Sequence, residues 1–347
     1  PKTSSAASDV YKRQFFICDW SYGKLYAVHL TPKGSSYLGR VEEFASAQPF
    51  PLTDLVVNPE DGAMYVAVGG RKVQSGLYRV TYVGEESTAP AKSVPGGEEA
   101  RKRRQALEKF VQRGVKPASQ NQLNKIWSAL GAQDRGIRHA ARVALEKQPV
   151  ANWKKKLLPE TNPVIASAAM IALARADGKS SSDVLTKAMS LNYRTEKSWQ
   201  QRIDLLRSIT LALTRGGEPQ AEQKKKLIAW LDRIYPASTP EENRDLSAIM
   251  QFLQAPSAAR KGMALLRGAS GQEEQIGYAL NLRHLKSGWT SLLRESYFKW
   301  FARAGNFKGG ARLSNYLDGI KKDAIASVPE SLMTVGLKKI IETKPQS

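Results

Sequence analysis

The stretch that decides the fold is residues 137–145, IRHAARVAL, which recurs at residues 165–173 as IASAAMIAL. The shared pattern is I-x-x-A-A-x-[VI]-A-L, and a weaker third copy, LLRSITLAL, spans residues 205–213. Alanines on one helical face let neighbouring helices approach closely, and Asp134 and Asn162 stand where an N-cap residue is preferred. A helical repeat of this kind is typical of stacked helical pairs. We therefore expect a HEAT-like α-solenoid.

The helical period continues on both sides of the repeat, from about residue 100 to the end of the chain at residue 347. Capping-box patterns occur at residues 239–242, TPEE, and at residues 270–273, SGQE. Such patterns mark helix starts, because the first and fourth side chains satisfy backbone N–H groups that lack intrahelical partners. We expect residues 100–347 to be all-helical.

Residues 14–84 have a different period, with short apolar or alternating runs separated by turn residues and no helical pattern. The six expected strands are residues 15–20, 23–30, 37–44, 52–57, 63–68 and 75–83. A meander of this size leaves unpaired strand edges, so we expect it to belong to a larger all-β structure. The expected fold class is therefore β + α multidomain, with the last blades of a β-propeller followed by an all-α HEAT-like solenoid.

Two further segments complete the expected domain organisation. Residues 85–99, EESTAPAKSVPGGEE, are rich in Pro, Gly and small polar residues and predict a linker. Residues 1–13 are polar, lack the apolar core of a signal peptide and resemble a translated sequencing-adapter remnant. We expect residues 1–13 to be non-native and the chain to be a fragment.

The charge is strongly uneven. The 347 residues contain 53 Lys and Arg and 32 Asp and Glu, for a net charge of +21, of which +19 (44 − 25) falls after residue 84. Charge of this size suggests nucleic acid, an anionic membrane surface or an acidic partner, with plain solvation as the alternative. The basic runs are not interleaved with aromatic residues, which disfavours nucleic acid and leaves a protein or membrane-surface partner. The candidate basic surface consists of Arg101, Lys102, Arg103, Arg104, Lys154, Lys155, Lys156, Lys224, Lys225 and Lys226.

Several site classes are excluded by composition. The single cysteine, Cys18, excludes a disulfide within the chain, a Cys-rich zinc module and a C-x-x-C-H haem attachment. The three histidines are far apart and have no metal-ligand spacing, so we expect no metal site. Cys18 lies in an apolar run and is expected to behave as an inert small hydrophobe. No apolar run approaches the ~18 residues of a membrane helix.

Four polar residues are candidates for a site on the β part. Asp19, Asp54, Arg71 and Gln74 lie at expected strand ends or in loops, where a propeller presents side chains towards its channel or rim. We expect Arg71 to act as an anion or carbonyl clamp and the aspartates to act as acceptors. The alternative is turn stabilisation and hydrogen bonding between blades.

The order of the two parts resembles a known family. The motifs of the β part are DWSYGKLY at 19–26, LTDLVVNPEDGAMY at 52–65, GGR at 69–71 and QSGLYRVTY at 74–82. Those of the helical part are EQIGYALNLR at 274–283, GWT at 288–290, YFKWF at 297–301 and GG at 309–310. Together they resemble the large exported membrane-bound dehydrogenases of planctomycetes and verrucomicrobia, which are similar to glucose/sorbosone dehydrogenase propellers.

This resemblance implies a periplasmic or exported parent protein, with the missing propeller blades and a downstream cytochrome domain as partners. It implies pyrroloquinoline quinone and haem c in the parent, and neither cofactor in this fragment. The fragment would supply the propeller edge and a scaffold for docking, with the redox centres elsewhere. The alternative is a non-enzymatic solenoid adaptor that binds an anionic partner, either an acidic protein, a polysaccharide or a nucleic acid.

Overall fold

The computed structural model describes residues 14–70, 72–85, 95–193 and 198–343. The segment 1–13, expected to be non-native, lies outside the described residues. So do Arg71 and residues 86–94 of the expected linker.

The β part contains six strands in two antiparallel sheets with the orders β1-β2-β3 and β4-β5-β6. The strands are β1 Gln14–Asp19, β2 Lys24–Lys33, β3 Ser36–Ser46, β4 Leu52–Val57, β5 Met64–Gly70 and β6 Val73–Val80. The six expected strands are confirmed, but they form two three-stranded meanders and not one six-stranded meander. Strands β2 and β3 extend further than expected because only Gly34 and Ser35 connect them, and Gly34 takes the positive φ that such a short turn requires.

One apolar core serves both sheets. Leu25 from β2 packs with apolar residues of β4 and β5, among them Leu52, Leu55 and Val66. In β4 the buried residues are Leu52, Leu55 and Val57, and a register shift near Asp54 breaks the strict alternation. The alternating residues Met64, Val66 and Val68 of β5 face this core. In β2, Ala27 and Val28 are both buried although they lie on opposite faces of the strand.

Thirteen α-helices follow in the described residues. They are α1 Glu98–Glu108, α2 Gln120–Ala129, α3 Arg135–Glu146, α4 Pro163–Ala176, α5 Ser181–Ser190, α6 Trp199–Gly216, α7 Ala221–Asp232, α8 Pro240–Phe252, α9 Ala258–Gly268, α10 Gln272–Leu282, α11 Ser291–Ala304, α12 Leu313–Ala326 and α13 Val335–Glu342. The first helix begins at residue 98, two residues before the expected start. The observed architecture is thus β + α.

The three repeat copies lie within α3, α4 and α6 and share a burial pattern. Their fifth, eighth and ninth positions are buried in every copy, and the seventh is half-exposed. In the second copy the buried trio is Ala169, Ala172 and Leu173, all fully buried. The same face of each helix is therefore committed to packing, as the repeat predicted.

Helix starts follow the capping chemistry at most expected places. Asn162 accepts hydrogen bonds from the backbone N–H groups of Val164 and Ile165, and Thr239 accepts one from that of Glu242. The expected capping box at 270–273 is wrong. Helix α10 starts one residue later, with Gly271 as N-cap and no side-chain cap, because the carbonyl of that glycine already accepts the first intrahelical bond, from Gln275.

The chain divides into two compact units. One comprises the described parts of residues 1–109 together with residues 133–140, so it contains the strands, α1 and the start of α3. The other comprises residues 110–132 and the described parts of residues 141–347.

Candidate functional site

The polar residues proposed from the sequence have local bonding roles. The Asp19 carboxylate accepts hydrogen bonds from the backbone N–H groups of Ser21 and Tyr22, both at 3.0 Å, and so closes the turn after β1. The Asp54 carboxylate accepts one from the adjacent Leu55 amide at 2.8 Å. Gln74 is exposed on β6.

These residues do not form a bonded cluster. Within the described part of the chain, no hydrogen bond or ion pair links Asp19, Asp54 and Gln74 to one another. Asp19 therefore closes a turn, whereas Asp54 lies within β4 at its register shift and not at a strand end as expected. The use of the two aspartates as ligand acceptors stays a prediction.

Cys18 lies close to this region, half-buried on β1. Burial raises the pKa of its thiol, and the negative charge of Asp54 raises that pKa further. Both effects disfavour the thiolate, which is the reactive form of cysteine. The environment therefore agrees with an unreactive side chain.

Six of the ten candidate basic residues form ion pairs or hydrogen bonds with other side chains of the chain. In α1 the ion pairs are Arg101–Glu98 at 3.4 Å, Lys102–Glu99 at 2.9 Å and Arg104–Glu108 at 3.3 Å. Arg101 also lies over the ring of Tyr37, 5.2 Å from its centroid. These contacts neutralise much of the charge of the first basic run.

The later runs show the same behaviour. Lys154 pairs with Asp183 at 2.6 Å, Lys156 donates to the side-chain oxygen of Asn124 at 2.7 Å, and Lys224 pairs with Glu218. Four members of the candidate surface are exposed and have no side-chain partner in the described residues. They are Arg103, Lys155, Lys225 and Lys226. Among the described residues, these four cations of the candidate surface are thus both exposed and unpaired.

The outer strands of the two sheets expose apolar side chains. On β3, Leu38 and Val41 are 57% and 56% exposed, and on β6, Leu77 and Tyr78 are 72% and 53% exposed. Both are edge strands, because β3 is the last strand of the first sheet and β6 is the last strand of the second. A long edge strand with exposed apolar side chains is a surface that natural proteins cover or pair.

Sequence reasoning missed a buried charged cluster around Glu242. This carboxylate is fully buried and accepts hydrogen bonds from Arg202 at 2.6 and 3.2 Å, from Tyr193 at 2.5 Å and from the Thr239 hydroxyl at 2.8 Å. Tyr193, Arg202 and Glu242 line a cavity of about 290 Å³ together with Pro236 and other residues. The sequence showed Thr239 and Glu242 only as parts of a capping box. It could not show their partners, because Arg202 and Tyr193 lie 40 and 49 residues from Glu242.

The electrostatics of this cluster favour a structural role. Burial acts to raise the pKa of Glu242, but hydrogen bonds from Arg202, Tyr193 and Thr239 outweigh it and lower that pKa. Burial and the bond to Glu242 raise the pKa of Tyr193. The carboxylate is held ionised and the phenol neutral, so neither is set to exchange a proton near neutral pH.

Within the described ranges, no group of three or more His, Cys, Asp or Glu residues is arranged to hold a metal ion. Among the helices of those ranges, none combines the length and apolar character needed to cross a bilayer.

Comparisons with family models, with curated proteins and with solved structures gave no match to this chain.

Proposed function

We propose that this chain is part of an exported dehydrogenase-like protein, in which β1 to β6 belong to a β-propeller and the helices form a HEAT-like docking scaffold. In this proposal pyrroloquinoline quinone and haem c are bound elsewhere in the parent protein. The sequence motifs of both parts and their order support it, together with the β + α architecture.

The observation that carries the proposal is the apolar exposure on β3 and β6. In the described residues each sheet has three strands, whereas a propeller blade usually has four. One further strand on each outer edge would cover side chains such as Leu38 and Leu77 and would satisfy the free backbone groups there. The edges therefore have the geometry expected of blades that still lack a strand.

A test of the edges is the association state of the purified chain. We expect the wild type to self-associate through these strands, and we expect Val41→Lys combined with Leu77→Lys to shift it to monomer in light scattering after size exclusion. The matched control is Val335→Lys in α13, which is 73% exposed but lies on a helix. A wild type that is already monomeric at high concentration would contradict the proposal.

The dehydrogenase part has a separate test. The parent gene, expressed in full, should reduce a dye when supplied with sugars or alcohols and pyrroloquinoline quinone. Absence of turnover and of quinone binding over a broad substrate panel would exclude the enzymatic part and leave the scaffold part standing.

A second candidate function is an adaptor that binds an anionic partner. The exposed and unpaired Arg103, Lys155, Lys225 and Lys226 favour it. Retention on heparin that falls steeply with salt would support this adaptor, and Lys225→Gln with Lys226→Gln should weaken that retention. Passage through the column at low salt would exclude it.

A further inference from the structure

Arg294 is a buried cation without a counter-charge among the described residues. It lies in the first turn of α11 and is only 5% exposed. In the described part of the chain its guanidinium makes no hydrogen bond or ion pair, and its aromatic contact is the face of Trp289, 5.2 Å from the ring centroid. Buried arginines are almost always paired, because burying an isolated charge is costly. An unpaired guanidinium at this depth is therefore unusual.

The GWT motif at residues 288–290 builds the surroundings of this arginine. Gly288 adopts a φ of +74°, a conformation that favours glycine. Trp289 donates its indole N–H to the carbonyl of Leu285 at 2.8 Å, which fixes the ring against which Arg294 stacks. Thr290 is the N-cap of α11. The motif thus fixes the indole ring of Trp289 next to the N-terminus of α11.

The start of α11 adds a second source of positive potential. The backbone N–H groups of Ser291 and Leu292 have no intrahelical acceptor, and both residues are exposed. The helix dipole places partial positive charge at the same end. Side chains in a helix lean towards its N-terminus, so the guanidinium of Arg294 lies at this end as well. Like charges are thereby brought together, and no acidic side chain of the described residues compensates them.

The guanidinium stays accessible despite its burial. Three side-chain atoms of the described residues are both sealed from solvent and without a hydrogen-bond partner, and none of them belongs to Arg294. Burial lowers the pKa of Arg294, and no acidic side chain opposes this effect. The unpartnered donors of the guanidinium therefore keep contact with solvent.

We propose that the start of α11 binds a single oxyanion group of phosphate or carboxylate type. The guanidinium of Arg294 donates to the anion oxygens, and the amides of Ser291 and Leu292 complete the site. Arginine and a helix N-terminus are both common anion ligands, because each presents N–H donors together with positive charge.

The test is thermal unfolding of the full chain with inorganic phosphate or with acetate, each compared with sodium chloride at equal ionic strength. We expect phosphate, acetate or both to raise the unfolding midpoint by about 2–4 °C at saturation. Which anion acts separates the phosphate source from the carboxylate source.

Two variants make the result specific. Arg294→Met should abolish the anion-dependent rise and should not lower the midpoint without anion, because an apolar side chain of similar length removes an unpaired buried charge. Arg303→Met, on the exposed face of the same helix, should keep the rise. An equal rise in wild type and Arg294→Met, or no rise with either anion in the wild type, would overturn the proposal. Isothermal titration with the same anions checks binding without relying on stability.

Discussion

The carboxylate of Asp134 accepts two hydrogen bonds from Ser35, one from its backbone N–H at 2.6 Å and one from its hydroxyl at 2.5 Å. The two residues are 99 positions apart in sequence. The same carboxylate accepts the backbone N–H of Ile137 at 3.0 Å and so caps α3. One acid therefore joins the β2–β3 turn to the start of a helix within the strand-containing unit.

This arrangement predicts a loss of stability in acid. Burial acts to raise the pKa of Asp134, but hydrogen bonds from Ser35 and from the Ile137 and Gly136 amides outweigh it and lower the pKa to about 2. A depressed pKa stabilises the folded state above the ordinary value near 4, and this contribution disappears as the pH falls from about 4 through 2.

We expect Asp134→Asn to lose about 1–2 kcal/mol of unfolding free energy at pH 7 and to lose part of the wild type's acid sensitivity. Urea unfolding at pH 7 and pH 3 measures both quantities. Glu60→Gln, an exposed acid in the same unit, is the control for loss of charge alone. Equal unfolding free energies of Asp134→Asn and the wild type at both pH values would show that the Asp134 carboxylate contributes nothing to stability.

A larger effect is expected at Glu242. Glu242→Gln removes the buried charge that pairs with half-buried Arg202, and breaking a buried pair by changing one partner costs about 3 kcal/mol. Chemical denaturation should show this loss. Glu241→Gln, an exposed neighbour on α8, should change stability by less than about 0.5 kcal/mol. Equal effects of the two changes would contradict a stabilising role for the cluster.

The repeat alanines predict intolerance to larger side chains. Ala172→Leu inserts extra volume at a fully buried position of α4 and should cost about 1–3 kcal/mol. Ala168→Leu, at a half-buried position of the same helix, should cost clearly less. The two midpoints in urea provide the comparison, and similar losses would show that the alanine face does not pack tightly.

Cys18 provides a chemical probe of the β part, because it is the only cysteine. Asp54→Asn should increase its rate of reaction with a disulfide reagent at pH 8 by about twofold or more, since removing the negative charge favours the thiolate. Asp19→Asn is the matched control, because its carboxylate is engaged with turn amides. An unchanged rate in Asp54→Asn would remove Asp54 from the electrostatics of Cys18.

Periodicity predicted the elements well because it reflects local geometry. The alternating runs before residue 84 became six strands, and the alanine repeat became helices with the same buried positions in each copy. Asn162 and Thr239 cap helices as expected, since a cap needs only the residues that follow it. The box at 270–273 did not form, because a pattern cannot decide between two adjacent starting residues.

The site features were harder to predict from the sequence because they depend on residues far apart in the chain. The basic runs predicted a charged surface, yet Lys154 and Lys156 find partners on other helices. The burial of Arg294 was not expected, since a charged residue in a helical pattern is usually placed on the solvated face.

The sequence by itself therefore determined the division into a β part and a helical part, the positions of the strands and helices, and the face that each repeat helix buries. These depend on side-chain period and on contacts within a few residues. Only the tertiary structure decided that Ser35 meets Asp134, that Glu242 meets Arg202 and that Arg294 is buried without an acid. Such pairings are set by the path of the chain through space, which brings together groups that no local pattern relates.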